Sequence, residues 1–109
     1  MKTSVEPRIV LVMVRTLSEG RKIARSVVKK QLAACVNIVL SPVNSIFRWE
    51  GKVEVAHEYL MLIKSTAQSY AELEKEIVKL HSYDVPEIVA LPVAGGLPEY
   101  LAWLAASAA

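Results

Sequence analysis

The amino-acid sequence predicts an α+β domain, in which helices pack on an antiparallel sheet of four strands. Runs rich in β-branched residues alternate with segments of three-and-four apolar periodicity. Signals for helix N-termini precede those periodic segments, and Glu50-Gly51 marks a tight turn between two strand-like arms. The predicted order is therefore strand, helix, strand, strand, helix, strand, with one further helix at the end.

The first strand is predicted at residues 8–15, a continuous apolar run bounded by arginines. Such runs are typical of strands buried on both faces, so this strand should lie in the middle of the sheet. A helix should begin at Thr16, because Thr16 and Glu19 have the spacing of a capping box. Its inward face comprises Ile23, Ala24, Val27, Val28 and Leu32. Its outward face carries Arg21, Lys22, Arg25, Lys29 and Lys30. We interpret this basic face as solvated surface, with a partner site as the alternative.

A long β-hairpin is predicted next, with arms at residues 35–50 and 52–64. Pro42 lacks a backbone N–H in the middle of the first arm, which indicates a bulge or an unpaired stretch there. The pairing register beyond Pro42 therefore cannot be predicted from the sequence.

The second half of the chain repeats the helix and strand signals. Residues 65–81 contain capping-box spacings that start at Ser65 and at Ser69. The inward face of this helix comprises Tyr70, Leu73, Ile77 and Leu80. Residues 87–93 read as a short strand, and a last helix should begin at Pro98 and fray at its alanine-rich end.

This element order is the βαββαβ plan of the ferredoxin-like fold, with both main helices on one face of the sheet. The other face is apolar on the first strand and at the base of the hairpin, and one short helix is too little to cover it. Self-association is therefore predicted.

Composition narrows the class of protein. A chain of 109 residues fits one domain, residues 1–109, and 53% hydrophobic with 22% charged residues predicts a folded chain. Thirteen basic and 11 acidic residues argue against a dedicated nucleic-acid binder. The single cysteine excludes an intrachain disulfide and fits a reducing compartment. No membrane span is expected, and Lys2, Glu6 and Arg8 interrupt any signal-peptide core, so a cytoplasmic location is expected.

Four short segments resemble, in order and approximate spacing, the CutA divalent-cation-tolerance family. They are residues 32–37 (LAACVN), 47–52 (FRWEGK), 81–87 (HSYDVPE) and 100–103 (YLAW). The resemblance spans roughly residues 8–104. It implies a homotrimer of ferredoxin-like subunits, similar in architecture to PII-type signalling proteins, with a role in tolerance of copper and other divalent cations.

The resemblance also points to metal-ligand positions. In the family's best-known bacterial form, the proposed copper ligands are a cysteine at the end of the first strand and two adjacent histidines. The corresponding residues here are Arg15, Leu80 and His81. His81 is therefore the first candidate metal ligand, and the alternative is a histidine that interacts with the last carbonyls of a helix. Cys35 is a second candidate, since Cu(I) prefers thiolate, and the alternative is a small buried thiol.

Aromatic and acidic residues suggest two further sites. Phe47 and Trp49 lie near the hairpin tip, where a subunit interface explains them better than a cofactor site. Tyr83 and Glu87 flank Pro86 and would line a ligand cleft between subunits or, alternatively, form a turn with a satisfied carboxylate.

Motifs of the common enzyme classes are missing from the sequence, so no enzymatic activity is expected. The predicted function is that of a trimeric protein of divalent-cation tolerance that binds copper. The alternative is a PII-like regulatory module that binds a small molecule or a partner protein in clefts between subunits.

Overall fold

The computed structural model describes residues 5–109, so Lys2 lies outside the described residues. The elements are β1 (Pro7–Val14), α1 (Leu17–Lys29), β2 (Cys35–Ile38), β3 (Val43–Trp49), β4 (Lys52–Thr66), α2 (Tyr70–Leu80), β5 (Ile88–Pro92) and α3 (Pro98–Ser107). The sheet order is β2-β4-β1-β5, with all pairs antiparallel, and β3 pairs with the distal part of β4. This confirms the predicted α+β, ferredoxin-like arrangement. Over residues 5–109, no helix has the length and apolar character needed to cross a membrane.

The core lies between the two main helices and one face of the sheet. Alternate residues of β1 point toward the helices and are completely buried there, as the strand periodicity requires. The core comprises Val10, Val12, Val14, Ile23, Val27, Ala33, Met61, Ile63, Leu73 and Ile77. On the other face, which we call the open face, Ile9 and Leu11 are half-buried and Val89 and Leu91 are exposed. The prediction of a central β1 is confirmed, although only its helix-side face is fully covered.

A buried carboxylate joins α1 to α2. Glu76 is 9% exposed and accepts hydrogen bonds from Ser26 Oγ at 2.6 Å and from Lys30 Nζ at 2.9 Å. The hydrogen bond from Ser26, and after it the one from Lys30, hold the pKa of Glu76 below its ordinary value of 4.5. Because a buried charge is costly unless it is paired and hydrogen-bonded, these two contacts allow Glu76 to lie between α1 and α2.

The hairpin contains the interruption that Pro42 predicts. Residues 39–42 on the first arm lie opposite only residues 59–60, since Ile38 pairs with Met61 and Val43 pairs with Glu58. Two extra residues shift the register by an even number, so side chains keep their faces across the interruption. At the tip, Glu50 (φ 51°) and Gly51 (φ 79°) both adopt left-handed backbone, as a two-residue primed turn requires.

The predicted capping boxes of the second helix are wrong. Ser65 belongs to β4, and α2 begins at Tyr70 after Ser69, whose side chain makes no capping bond. Ser65 Oγ instead donates to the carbonyl of Leu32 at 2.7 Å, and Ser69 Oγ donates to the carbonyl of Ala108 at 2.6 Å. Both hydroxyls serve contacts between distant segments, which compete with local capping.

The C-terminal end of the chain is packed rather than frayed. Ala108 is 1% exposed and forms a small apolar cluster with Leu104 and Ala34. The contact with Ser69 adds a hydrogen bond to that packing. The prediction of fraying is therefore wrong, because tertiary contacts hold a tail whose composition alone would leave it loose.

Candidate functional site

His81 lies where the end of α2 meets the end of β1. It is the C-cap residue of α2, in extended backbone, and its side chain is completely buried. Nε2 lies 2.8 Å from the carbonyl oxygen of Met13, and Nδ1 accepts a hydrogen bond from the backbone N–H of Tyr83 at 3.1 Å. Because a carbonyl oxygen only accepts, the ring proton lies on Nε2. Both ring nitrogens are thus occupied by backbone groups outside α2, and not by the last carbonyls of that helix.

Glu19 joins three segments beside His81. Its Oε2 accepts from the backbone N–H of Ser82 at 2.6 Å and lies 4.0 Å from His81 Nδ1, and its Oε1 accepts from the backbone N–H of Arg15 at 3.4 Å. Thr16 Oγ1 accepts from the N–H of Glu19 at 3.1 Å, which confirms the predicted N-cap of α1. The predicted capping box would also place the Glu19 carboxylate on the backbone N–H of Thr16, and this part of the prediction is wrong. The carboxylate accepts from the N–H groups of Arg15 and Ser82 instead.

An open depression lies over this junction. It has a volume of about 480 Å³ and is lined by Arg15, Thr16, Glu19 and Ser82. Arg15 is exposed and supplies a permanent positive charge, while Glu19 supplies a carboxylate that already accepts two backbone hydrogen bonds. The depression can therefore contact a small polar molecule through groups of both signs.

Tyr83 extends from this junction to the open face of the sheet. Its hydroxyl donates to Glu58 Oε2 at 2.8 Å, and Glu58 is only 8% exposed. Burial, followed by the hydrogen bond and the charge of Glu58, raises the pKa of Tyr83 to about 12. The Tyr83 ring also contacts that of His81, with centroids 4.7 Å apart. Glu87 is exposed and shares no hydrogen bond with Tyr83, so the structure does not join these two predicted cleft residues within one chain.

Cys35 occupies a separate position. It is half-buried, and its Sγ lies 3.5 Å from the hydroxyl of Tyr100, whose pKa is raised first by this hydrogen bond and then by burial. Cys35 pairs with Lys64, which lies opposite Ile9, four residues along β1 from Met13. At about 3.3 Å per residue, the rows of Cys35 and His81 are about 13 Å apart. The two candidate ligands therefore do not meet in one chain.

Candidate metal ligands are dispersed over the described part of the chain. Within the described part of the chain, no three His, Cys, Asp or Glu side chains converge on a point that could hold a metal ion. His81 Nδ1 and Glu19 Oε2 form a pair of possible donor atoms 4.0 Å apart. Residues 5–109 of one chain therefore do not form a complete ligand set for copper, and the metal roles of His81 and Cys35 stay predictions.

The hairpin tip exposes apolar side chains on both of its faces. Phe47 and Trp49, the predicted interface residues, share one face and are 41% and 52% exposed. Ile46, Val53 and Val55 share the other face and are 63–68% exposed. Residues 52–58 of β4 pair only with β3, so the tip projects beyond the four-stranded sheet.

Glu19 and Glu58 are the residues of this region that the sequence did not reveal as site residues. Glu58 carried a signal, since strand alternation places its carboxylate on the same face as Leu60 and Leu62. A carboxylate on an otherwise apolar face suggests a buried polar partner. Glu19 carried no signal beyond its place in the cap, because its contacts with His81 and Ser82 join residues more than 60 positions apart in the sequence.

Comparison with known proteins identifies the family. Residues 8–107 match the CutA1 divalent ion tolerance protein family. A divalent-cation tolerance protein CutA of Thermus thermophilus is 47% identical over 96 residues, which cover 88% of this chain and 92% of that protein. A protein of the same name from Archaeoglobus fulgidus is 44% identical and covers 82% and 85% of the two chains. The solved structure of the Thermus thermophilus protein superposes with a TM-score of 0.92 at 44% identity, over 94% of this chain and 99% of that one. The chain therefore belongs to the CutA1 divalent ion tolerance protein family.

Proposed function

We propose that this chain acts in divalent-cation tolerance as a homotrimer, and that its contact with copper is weak and depends on His81. The role in tolerance is supported by the names of relatives that share almost the whole length of the chain. That name describes a tolerance and not a reaction, and the absence of enzymatic activity remains a prediction. A cytoplasmic location also remains a prediction, since one relative is named as chloroplastic.

The apolar hairpin tip is the structural observation that carries the trimer. A tip with exposed apolar residues on both faces needs cover on both faces, because large exposed apolar patches mark interaction sites. The open face of the sheet is apolar as well, with Val89 and Leu91 exposed at 45% and 42%. A closed ring in which each hairpin lies against neighbouring subunits would cover both surfaces. The number three comes from the family resemblance.

The copper contact is proposed to be weak because both ring nitrogens of its candidate ligand, His81, already form hydrogen bonds with the backbone. A cation at Nδ1 of His81 would replace the N–H of Tyr83 and would find Glu19 Oε2 as a second donor. The guanidinium of Arg15 lines the same depression and adds positive charge there. Water or another subunit would have to supply the remaining ligands, so a dissociation constant weaker than about 1 µM is expected.

Isothermal titration with copper tests this proposal with a matched control. The chain has two histidines, and His57 lies exposed on the hairpin, so His57→Ala removes an imidazole away from the proposed contact. The wild type and His57→Ala should bind copper alike, while His81→Ala and His81→Gln should bind it less. Identical isotherms for the wild type and both His81 variants, with native circular dichroism, would exclude His81 from the contact.

A second candidate function is a PII-like regulatory module that binds a small molecule or a partner protein between subunits. The depression favours it, because its lining includes both the guanidinium of Arg15 and the carboxylate of Glu19, which could contact a polar ligand. Titration with zinc and a panel of nucleotides separates the candidates. Saturable nucleotide binding that Arg15→Glu abolishes, together with no copper binding, would favour the regulatory module.

A further inference from the structure

Basic residues are concentrated on one helix. Residues 17–30 contain five basic side chains and one acidic side chain, whereas the other 95 residues contain eight basic and ten acidic ones. Lys30 is paired with Glu76. The other four are exposed and form no ion pair or side-chain hydrogen bond with any residue of the described range 5–109, namely Arg21, Lys22, Arg25 and Lys29. The outer surface of α1 is therefore a positive patch without internal compensation.

An apolar groove lies beside this positive patch, between α1 and β2. It has a volume of about 450 Å³ and is lined by Ala24, Val28 and Val36, whose apolar side chains we call its floor, and by Arg25 and Lys29, which we call its rim. Val28 was predicted to face the core but is 40% exposed, while Ile23 and Val27 make the core contacts of the helix. The exposed valine is therefore a surface feature separate from the core.

We propose that this groove binds an acidic peptide segment of a partner protein, with an aliphatic side chain in the groove and flanking carboxylates on Arg25 and Lys29. Charge complementarity supplies the argument, since an aliphatic contact bounded by unpaired cations fits a ligand of that chemistry. No aromatic residue lines the groove, so it lacks the stacking platform typical of single-stranded nucleic-acid sites. The apolar face of α1 is buried in the core, so the helix cannot insert it into a membrane.

The groove and the proposed trimer contacts can be occupied together. The two main helices, α1 and α2, cover the side of the sheet opposite to the open face, and α1 presents the groove on that side at β2, an edge strand. The proposed trimer uses the open face and the hairpin tip. The groove is therefore a separate surface, and its function does not depend on the copper contact.

Two matched double variants test the groove. Arg25→Glu/Lys29→Glu reverses the rim, and Lys75→Glu/Lys79→Glu reverses two exposed cations with the same spacing on α2, including the basic residue of its last turn. Net charge changes equally in both. Fluorescence anisotropy of the full chain would use a short labelled peptide in which glutamates flank a central leucine. The Arg25/Lys29 variant should weaken binding by about tenfold or more, and the Lys75/Lys79 variant by about twofold or less.

Further measurements distinguish binding in the groove from general attraction between opposite charges. Alanine in place of the peptide's leucine should weaken binding several-fold, and so should Val28→Ser in the protein, because both remove the aliphatic contact. Equal losses in the two double variants, or no effect of the leucine, would overturn the proposal. So would no saturable peptide binding below about 1 mM. The proposal would also be overturned if a phosphatidylglycerol vesicle or an oligothymidine bound more tightly than the peptide and depended on Arg25 and Lys29 in the same way. If the Arg25→Glu/Lys29→Glu variant does not fold, Arg25→Gln/Lys29→Gln provides the same test.

Discussion

Replacing Trp49 by aspartate tests the proposed contact of the hairpin tip with a neighbouring subunit. Trp49 is 52% exposed in the single chain. A tryptophan side chain offers at most about 250 Å², so about 130 Å² remains for a neighbour to cover. At about 25 cal/mol per Å², this contact contributes about 3 kcal/mol per subunit and about 10 kcal/mol per trimer. The carboxylate adds a desolvation cost if it stays in the interface.

The expected change in assembly is large enough to measure. A loss of about 10 kcal/mol lowers the trimerisation constant by about 10⁷-fold. The concentration at the assembly midpoint varies with the square root of that constant, so it should rise by about three orders of magnitude. Sedimentation of labelled protein, diluted from micromolar to nanomolar, would follow the midpoint. The wild type should sediment as three chains of 12.0 kDa and dissociate only on extreme dilution.

Val78→Asp is the control for this substitution. Val78 is 48% exposed on the outer surface of α2, away from the hairpin, so the same charge there should leave the assembly unchanged. A wild type that sediments as one chain with native circular dichroism would refute the trimer. A Trp49→Asp protein with an unchanged midpoint would show that Trp49 lies outside the interface.

Three smaller predictions concern contacts within one chain. Glu76→Ala should lower the free energy of unfolding by about 1–2 kcal/mol near pH 7. The pKa of Glu76 is lower in the folded state than in the unfolded state. Glu76 therefore contributes to stability at pH values above its unfolded pKa, and this contribution is lost as pH falls through its folded pKa. Urea unfolding should show that the difference in free energy of unfolding between the wild type and Glu76→Ala shrinks at acidic pH. A difference that stays constant with pH would contradict this. Tyr83→Phe should cost about 1–3 kcal/mol, since it leaves the buried carboxylate of Glu58 without its donor. The Tyr83 pKa of about 12 also means that its contribution is lost as pH rises from 10 to 12, and an absorbance titration of phenolate should lose one late transition in the variant. At the hairpin turn, Glu50 and Gly51 both have left-handed backbone, which glycine and asparagine adopt more readily than other residues. Gly51→Ala should therefore lower the free energy of unfolding by about 1 kcal/mol, and Glu50→Asn should raise it by about 0.5 kcal/mol. Thermal unfolding should show a lower midpoint for Gly51→Ala and a higher one for Glu50→Asn. A shift in the same direction for both variants would contradict the turn assignment.

The candidate site could be predicted only in part. Motif resemblance singled out His81 and Tyr83, and the structure places their rings in contact. Their carboxylate neighbours, Glu19 and Glu58, come from α1 and β4. Periodicity indicates which way a side chain points within its own element, but it does not indicate which residue of another element it will meet. The engagement of both His81 nitrogens could therefore not be foreseen.

Some features follow from the sequence alone because their causes are local. The order of strands and helices follows from apolar periodicity, the start of α1 from the hydroxyl of Thr16, and the hairpin turn from Glu50-Gly51. Each of these depends on side chains and backbone preferences within a few residues.

Other features were decided only by the tertiary structure. The register across Pro42, the use of Ser65 and Ser69 in distant contacts, and the packed position of Ala108 all depend on which surfaces meet. Local signals leave several partners available to one polar group, and packing of the whole chain selects among them. The strand and helix pattern was thus encoded locally, whereas the contacts of the candidate site required the complete fold, because they join segments far apart in the chain.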